Sequence, residues 1–301
     1  MELGIMLNIY RSHRGETVCR PYADQLQDCY DAGFRVVDVN TAASTRGWGD
    51  QLAESNWERT VEALAEQGAR LGVRFSQMHA PFNGNFFLRG QQPDEEYVRM
   101  FRVMTLRTIK AAAVLGAPWV VVHPLTDTVN TEYDNDIQKR TNIEFYHDML
   151  EGAKRVGVGL AFENMAEFNR DKARRVYCAA TDELIDLVDT IGHDVAGVCW
   201  DFGHGRELYN DQPRQLRKLG DRLKATHVHD NKGERDSHLI PFVGGDIKWE
   251  TIMPTLKEIG YGGDFVLESH MYMMHMPDGL RPAAGKLMHE FGEYCMGMYR
   301  A

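Results

Sequence analysis

Short apolar runs rich in Val, Ile, Leu and Phe recur along the chain, each followed by a longer amphipathic stretch. Eight of them read as strands: 3–9 (LGIMLNI), 35–39 (RVVDV), 73–79 (VRFSQMH), 118–123 (PWVVVH), 158–163 (VGLAFE), 196–201 (AGVCWD), 223–229 (LKATHVH) and 264–269 (DFVLES). Between them, 55–71 carries Val61, Leu64, Ala65 and Leu71 at helical spacing. The same period places Val98, Phe101, Thr105, Ile109, Ala112 and Leu115 on one face of 95–115, and Ile143, Tyr146, Leu150, Ala153 and Val156 on one face of 143–156. Thr181-Asp182-Glu183-Leu184 reads as the capped start of a further helix. Gly33, Gly72, Gly116, Gly157, Gly192 and Gly262 precede strands, where a left-handed helix C-cap favours glycine.

Strict alternation of strand and helix predicts a parallel sheet. Eight units in 301 residues fit a single closed (β/α)8 barrel spanning 1–301 better than an open doubly wound sheet. No G-x-G-x-x-G turn follows the first strand, and no low-complexity linker divides the chain.

Composition narrows the function classes. A formal net charge of −10 without a long basic run counts against a non-specific nucleic-acid binder. The N-terminal residues lack the pattern of a signal peptide, and no apolar stretch approaches the length of a membrane span. Cys19, Cys29, Cys178, Cys199 and Cys295 are scattered and form no C-x-x-C pair, so reduced thiols and a cytoplasmic location are expected.

The chemistry lies at the strand ends. His79 ends the third run, His123 the fourth, Glu163 the fifth and Asp201 the sixth, with His204 three residues on. The seventh ends in His227-Val228-His229-Asp230, and the eighth ends at Glu268 with His270 just beyond. The C-terminal ends of barrel strands form the active-site face, so these side chains converge although dozens of residues separate them. Carboxylates gathered there repel one another unless a cation sits between them, and a divalent ion resolves the repulsion. Two residues back along each strand stand Gln77, Val121, Ala161, Cys199, Ala225 and Val266, several of them small or apolar as a filled barrel interior requires. A lone histidine at a strand end is ordinarily a hydrogen-bonded structural residue. Six consecutive strands ending this way is what points to a site.

In order and spacing, the segments Met78-His79-Ala80-Pro81, Val122-His123-Pro124, Phe162-Glu163-Asn164, Trp200-Asp201-Phe202-Gly203-His204, His227-Val228-His229-Asp230-Asn231, Asp236-Ser237-His238 with Gly244-Gly245-Asp246-Ile247, and Leu267-Glu268-Ser269 resemble the xylose isomerase-like barrels. That family includes sugar isomerases and epimerases as well as endonuclease IV. For the isomerase branch the resemblance implies one divalent metal, commonly Mn, Co or Mg, held by Glu163, Asp201, His227 and Glu268. Parity alone does not choose between His227 and His229, since both point inward; the family pattern places the ligand first. Glu163 and Glu268 would also exchange the substrate proton, and His79, His123, His204 and His229 would contact substrate, His229 having a packed core role as its equal alternative. For the endonuclease branch the resemblance implies three Zn ions, with extra ligands mapping to His79, His123, His204, Asp236 and His238.

The expected function is therefore a metal-dependent isomerase or epimerase of a carbohydrate, working through an enediolate. A dehydratase or lyase on a cyclic polyol or keto acid shares the metal and the base. The acidic balance disfavours the nuclease, and the retained ligand set argues against a barrel that only binds sugar. Arg170, Lys172, Arg174 and Arg175 cluster after the fifth strand as a solvated face or an anion clamp. Trp48 and Phe86-Phe87 are candidate apolar walls for a sugar ring. Met271-Tyr-Met-Met-His-Met276 reads as loop packing, with a substrate lid or a homo-oligomer contact as alternatives.

Overall fold

In the computed structural model, which describes residues 1–7, 19–82, 94–126, 133–166, 175–192, 194–269 and 276–301, each apolar run forms a strand of one parallel sheet. The strands are β1 (Leu3–Met6), β2 (Val36–Asn40), β3 (Arg74–His79), β4 (Trp119–Val122), β5 (Gly159–Glu163), β6 (Ala196–Asp201), β7 (Leu223–His227) and β8 (Phe265–Leu267). Their order is β7-β6-β5-β4-β3-β2-β1-β8. The ring closes just past β7, where Val228 N donates to Val266 O and Glu268 N donates to Val228 O, each at 2.8 Å. The result is a (β/α)8 barrel.

Register staggers the strand ends by small steps around the ring. Asn40 pairs with His79, His79 with Val121, Val122 with Phe162, Glu163 with Cys199 and Asp201 with His227. Inside, Val121, Ala161, Cys199 and Ala225 make a small filled layer directly beneath this rim, so the residues above it are held at the mouth. Trp119 plugs the layer below. Gly159 admits it, because a Cβ there would lie 2.1 Å from Trp119 Cζ3. At the opposite, N-terminal end, Asp264 accepts from Glu2 N at 3.0 Å, Arg74 Nη1 at 2.7 Å and Ser76 Oγ at 2.7 Å, tying β1, β3 and β8 together.

The surrounding helices are α1 (Tyr22–Ala32), α2 (Trp57–Leu71), α3 (Glu95–Leu115), α4 (Asn135–Val156), α5 (Thr181–Ile191), α6 (Phe202–Leu208), α7 (Gln212–Leu219), α8 (Trp249–Glu258) and α9 (Arg281–Arg300). Their apolar stripes bury against the sheet, as in α2 with Val61 and Leu64. Gly33, Gly72, Gly116, Gly157 and Gly192 occupy left-handed C-caps as expected.

Three details depart from the pattern. Gly262 is not a cap; α8 ends four residues earlier, and Gly260 takes the positive φ of 67°. Thr181 is already the first helical residue of α5, with Ala180 at the N-cap and no side-chain cap bond. Helix α4 starts eight residues before 143, because Asp134 caps it by accepting from Asp136 N and Ile137 N; its polar first turns hide the period. All five cysteines are buried. No helix among the described residues is long and apolar enough to cross a membrane.

Candidate active site

Glu163, Asp201, His227 and Glu268 each offer a ligand atom, and the four atoms lie within 4.8 Å of one another. All four side chains are buried. Glu163 ends β5, Asp201 ends β6, His227 ends β7 and Glu268 follows β8, so the barrel register alone gathers them. His227 presents Nδ1 at 3.1 Å from Glu163 Oε1 and 3.2 Å from Glu268 Oε2. Two carboxylate oxygens within 4.8 Å of one another repel by roughly 3 kcal/mol or more at an effective dielectric of about 20. Without a cation, protonated His227 must balance them. Burial opposes that proton, but Cys199, Glu268, Glu163 and the bond to Asp38 outweigh it and hold the pKa well above the usual histidine value. Burial likewise works to raise Glu163, yet His227 and His123 hold its carboxyl well below the ordinary range. Glu163 Oε2 is buried and faces the His123 and His79 imidazoles rather than a hydroxyl or amide donor. Three carboxylates and one imidazole converging on one point fit a hard divalent cation.

Around this core stand the other imidazoles. His79 Nε2 lies 3.1 Å from His123 Nε2, and the two lie 3.6 and 3.0 Å from Glu163 Oε2. Burial lowers the His123 pKa despite the carboxylate; burial also opposes protonation of His79, but Glu163 prevails and raises it. His204 Nδ1 is 2.8 Å from Asn164 O, and its Nε2 is 3.5 Å from Asp236 Oδ2. His238 takes a left-handed φ of 44°, an unusual conformation for its residue type. It places Nε2 2.9 Å from Asp236 Oδ2 and Nδ1 2.9 Å from Glu268 O. Against the cost of burial, Asp236 and Glu268 push His238 up to about 10. His204, Asp236 and His238 thus form a second polar cluster beside the first.

Asp201 has two jobs in the backbone. Its Oδ1 accepts from His204 N at 2.7 Å and caps α6, while Asn164 Oδ1 accepts from Asp201 N at 2.6 Å. His229 is fully buried with Nε2 2.9 Å from Asp201 Oδ1, and its ring stacks on His238 at 4.0 Å. Gly203 makes room for that ring; a Cβ there would sit 1.7 Å from His229 Cε1. The loop carrying Asp236 and His238 is anchored by Asp230. That carboxylate accepts from Asn231 N, Ile247 N, Phe242 N and Trp249 Nε1 at 2.9–3.1 Å.

Two further acids at the site went unremarked in the sequence. Asp38 in β2 is fully buried, with Oδ2 3.3 Å from His227 Nε2 and 2.9 Å from Gln77 Nε2. An acid inside Val36-Val37-Asp38-Val39 was the available signal, since a buried charge needs a partner. Glu207, one turn beyond His204 on α6, is half-buried; burial first, then Asp236 and Asp201, push it up to about 7 against the pull of His204. No sequence signal marks it.

Of the peripheral candidates, Arg175 pairs with Glu183 at 2.8 Å. The Arg46 guanidinium lies over the Trp48 ring at 4.9 Å and over Phe82 at 5.3 Å. Met276 packs against the core. Arg170, Lys172, Arg174, Phe86, Phe87, His270 and residues 271–275 lie outside the described residues.

The carboxylate–imidazole cluster lies at the C-terminal mouth of the barrel, the face on which (β/α)8 enzymes carry their active sites. A family model described as xylose isomerase-like TIM barrel matches residues 26–287, and the chain belongs to that family. The uncharacterized protein y4fM of Sinorhizobium fredii is 30% identical over 54% of this chain, a match that spans only half of that relative's own length. Among solved structures, a D-tagatose 3-epimerase-like protein superposes with a TM-score of 0.74 at 21% identity, over 99% of both chains. A D-psicose 3-epimerase from Clostridium cellulolyticum superposes with a TM-score of 0.72 at 15% identity, over 98% of this chain and 99% of that one. At those identities the likeness speaks for the fold.

Proposed function

We propose that this protein is a divalent-metal-dependent isomerase or epimerase of a sugar, sugar phosphate or keto sugar. The observation that carries the reading is the convergence of Glu163, Asp201, His227 and Glu268 on one point at the barrel mouth. Epimerases among the proteins of like fold support it. Glu163, Asp201, His227 and Glu268 would hold Mn, Co or Mg, which when bound would supply a Lewis acid beside the carbon-bound proton of a keto sugar. Glu163 and Glu268 stand on strands three apart around the ring and flank His227, so one removes the proton and the other returns it. His79, His123 and His204, each only slightly exposed, hold substrate hydroxyls at the rim. His229 is fully buried against Asp201, which favours an orienting role over substrate contact.

A second reading has its own observation. His79 and His123 converge with Glu163 Oε2, while His204, Asp236 and His238 form another cluster; both are positions for additional ions, as in a zinc-dependent apurinic endonuclease. A dehydratase would use the same metal and base.

The test incubates the protein with Mn or Mg, a panel of ketoses and keto acids, and D2O, and follows C–H exchange by NMR. Exchange with a new isomer is expected. Loss of water instead assigns a dehydratase, and cleavage of abasic DNA without exchange assigns the nuclease. Metal analysis in parallel counts the ions per chain; none in the intact protein defeats all three.

A further inference from the structure

We infer that Asp38 and Gln77 are a positioning pair that fixes the ring of His227 and so sets how tightly the mouth of the barrel holds a divalent cation. The inference rests on His227 being a metal ligand. Asp38 has no exposed surface, and its place in an apolar strand has to be explained by its partners. Both partners converge on one oxygen: Gln77 Nε2 donates to Asp38 Oδ2 at 2.9 Å, and His227 Nε2 lies 3.3 Å from the same atom. Gln77 is itself oriented, because its Nε2 also donates to Thr226 O at 3.2 Å. The amide therefore cannot turn its oxygen toward Asp38 without losing the bond to β7.

The consequence falls on the far nitrogen of His227. A ring that donates Nε2–H to Asp38 turns the lone pair of Nδ1 toward Glu163 and Glu268, the tautomer a metal ligand needs. The His79 ring stacks on the same imidazole at 5.3 Å and 11°, which limits tilt but says nothing about which nitrogen carries the proton. That choice belongs to Asp38. It also explains a polar pair sunk one layer below the mouth, where the remaining interior is Val121, Ala161, Cys199 and Ala225.

Asp38→Asn separates this role from simple packing. If the new amide puts its oxygen where Oδ2 was, its NH2 replaces Oδ1, which makes no hydrogen bond. If it turns over, NH2 faces the NH2 of Gln77 and drives His227 to the wrong tautomer. The first outcome keeps an acceptor for His227 but removes the charge that strengthens the imidazole as a ligand, and the second reverses the tautomer as well; both weaken metal binding with side-chain volume nearly unchanged. Gln77→Met removes the second donor and leaves the Asp38 charge in place.

The experiment titrates Mn into chelator-treated wild-type protein, Asp38→Asn and Gln77→Met by calorimetry, and records the unfolding midpoint of each in excess EDTA. The dissociation constant of the tightest Mn site is expected to rise about 10- to 100-fold in Asp38→Asn, the range for losing a group that orients a ligand, and by a smaller factor in Gln77→Met. Metal-free midpoints should move much less than the affinities. Affinities within threefold of wild type in both variants overturn the inference, as does a loss of affinity matched by a collapse of the metal-free fold in both. Wild-type protein that binds no Mn overturns the metal reading itself, a result distinct from either.

Discussion

Removing one carboxylate should split the proposed reaction in half. Glu268→Gln is the informative change, because the two acids are embedded differently. Glu163 faces four imidazoles, with His123 Nε2 at 3.0 Å, His227 Nδ1 at 3.1 Å, His204 Nδ1 at 3.5 Å and His79 Nε2 at 3.6 Å. Neutralising it would strand buried positive charge, at a cost of roughly 3–5 kcal/mol. Glu268 has His227 at 3.2 Å and His238 only at 4.0 Å, so the variant should fold. Its glutamine oxygen can still face the cation. If each carboxylate serves one face of the substrate, interconversion of epimers should fall by about 10²- to 10⁴-fold, or roughly 3–5 kcal/mol of barrier. Glu163 would continue to wash solvent deuterium into one epimer within about an order of magnitude of the wild-type rate. Proton NMR in D2O, run from each epimer separately with the metal content of the variant measured, reads both quantities. Interconversion within threefold of wild type would refute the two-carboxylate argument, and so would equal loss of exchange from both epimers in a metal-replete variant.

Other expectations follow from the same geometry. Stripping the metal should lower the unfolding midpoint by about 8 °C relative to protein at a thousandfold excess over its dissociation constant, since that linkage is worth about 4 kcal/mol; scanning fluorimetry with and without EDTA checks it, and coincident midpoints contradict a tight site. Gly203→Ala should displace His229 from Asp201 and destabilise by about 1–3 kcal/mol, since its Cβ falls 1.7 Å from the ring; denaturant unfolding at wild-type stability would show the contact to be soft. For Glu207 the sign is that of a raised acid. The folded state binds its proton up to about pH 7 and the unfolded state only to about 4.5, so this group costs stability as pH rises through that window. Glu207→Gln should therefore gain midpoint relative to wild type between pH 5 and pH 8 in EDTA, and a constant difference would remove Glu207 from the account.

What the sequence determined by itself was the repeating unit and the inventory at its end. Short apolar runs and helical periods defined eight strand–helix pairs, and glycines at left-handed caps marked where most helices stop. A parallel barrel puts every strand terminus on one rim, so Glu163, Asp201, His227 and Glu268 were legible as neighbours before any coordinate. Helix ends were less legible: a side chain such as Asp134 decides α4, and backbone geometry moves the left-handed turn after α8 from Gly262 to Gly260.

Only the tertiary structure decided which nitrogen, which oxygen and which neighbour. Parity left His227 and His229 equivalent. Register and the space left by Gly203 place one against Glu163 and Glu268 and sink the other against Asp201. Asp38 and Glu207 joined the site because strands and helices remote in sequence close around it. Sequence fixes the side-chain direction along one strand. The approach of two side chains across a barrel depends on the stagger of every strand between them, and that stagger is set by the packing of the whole ring.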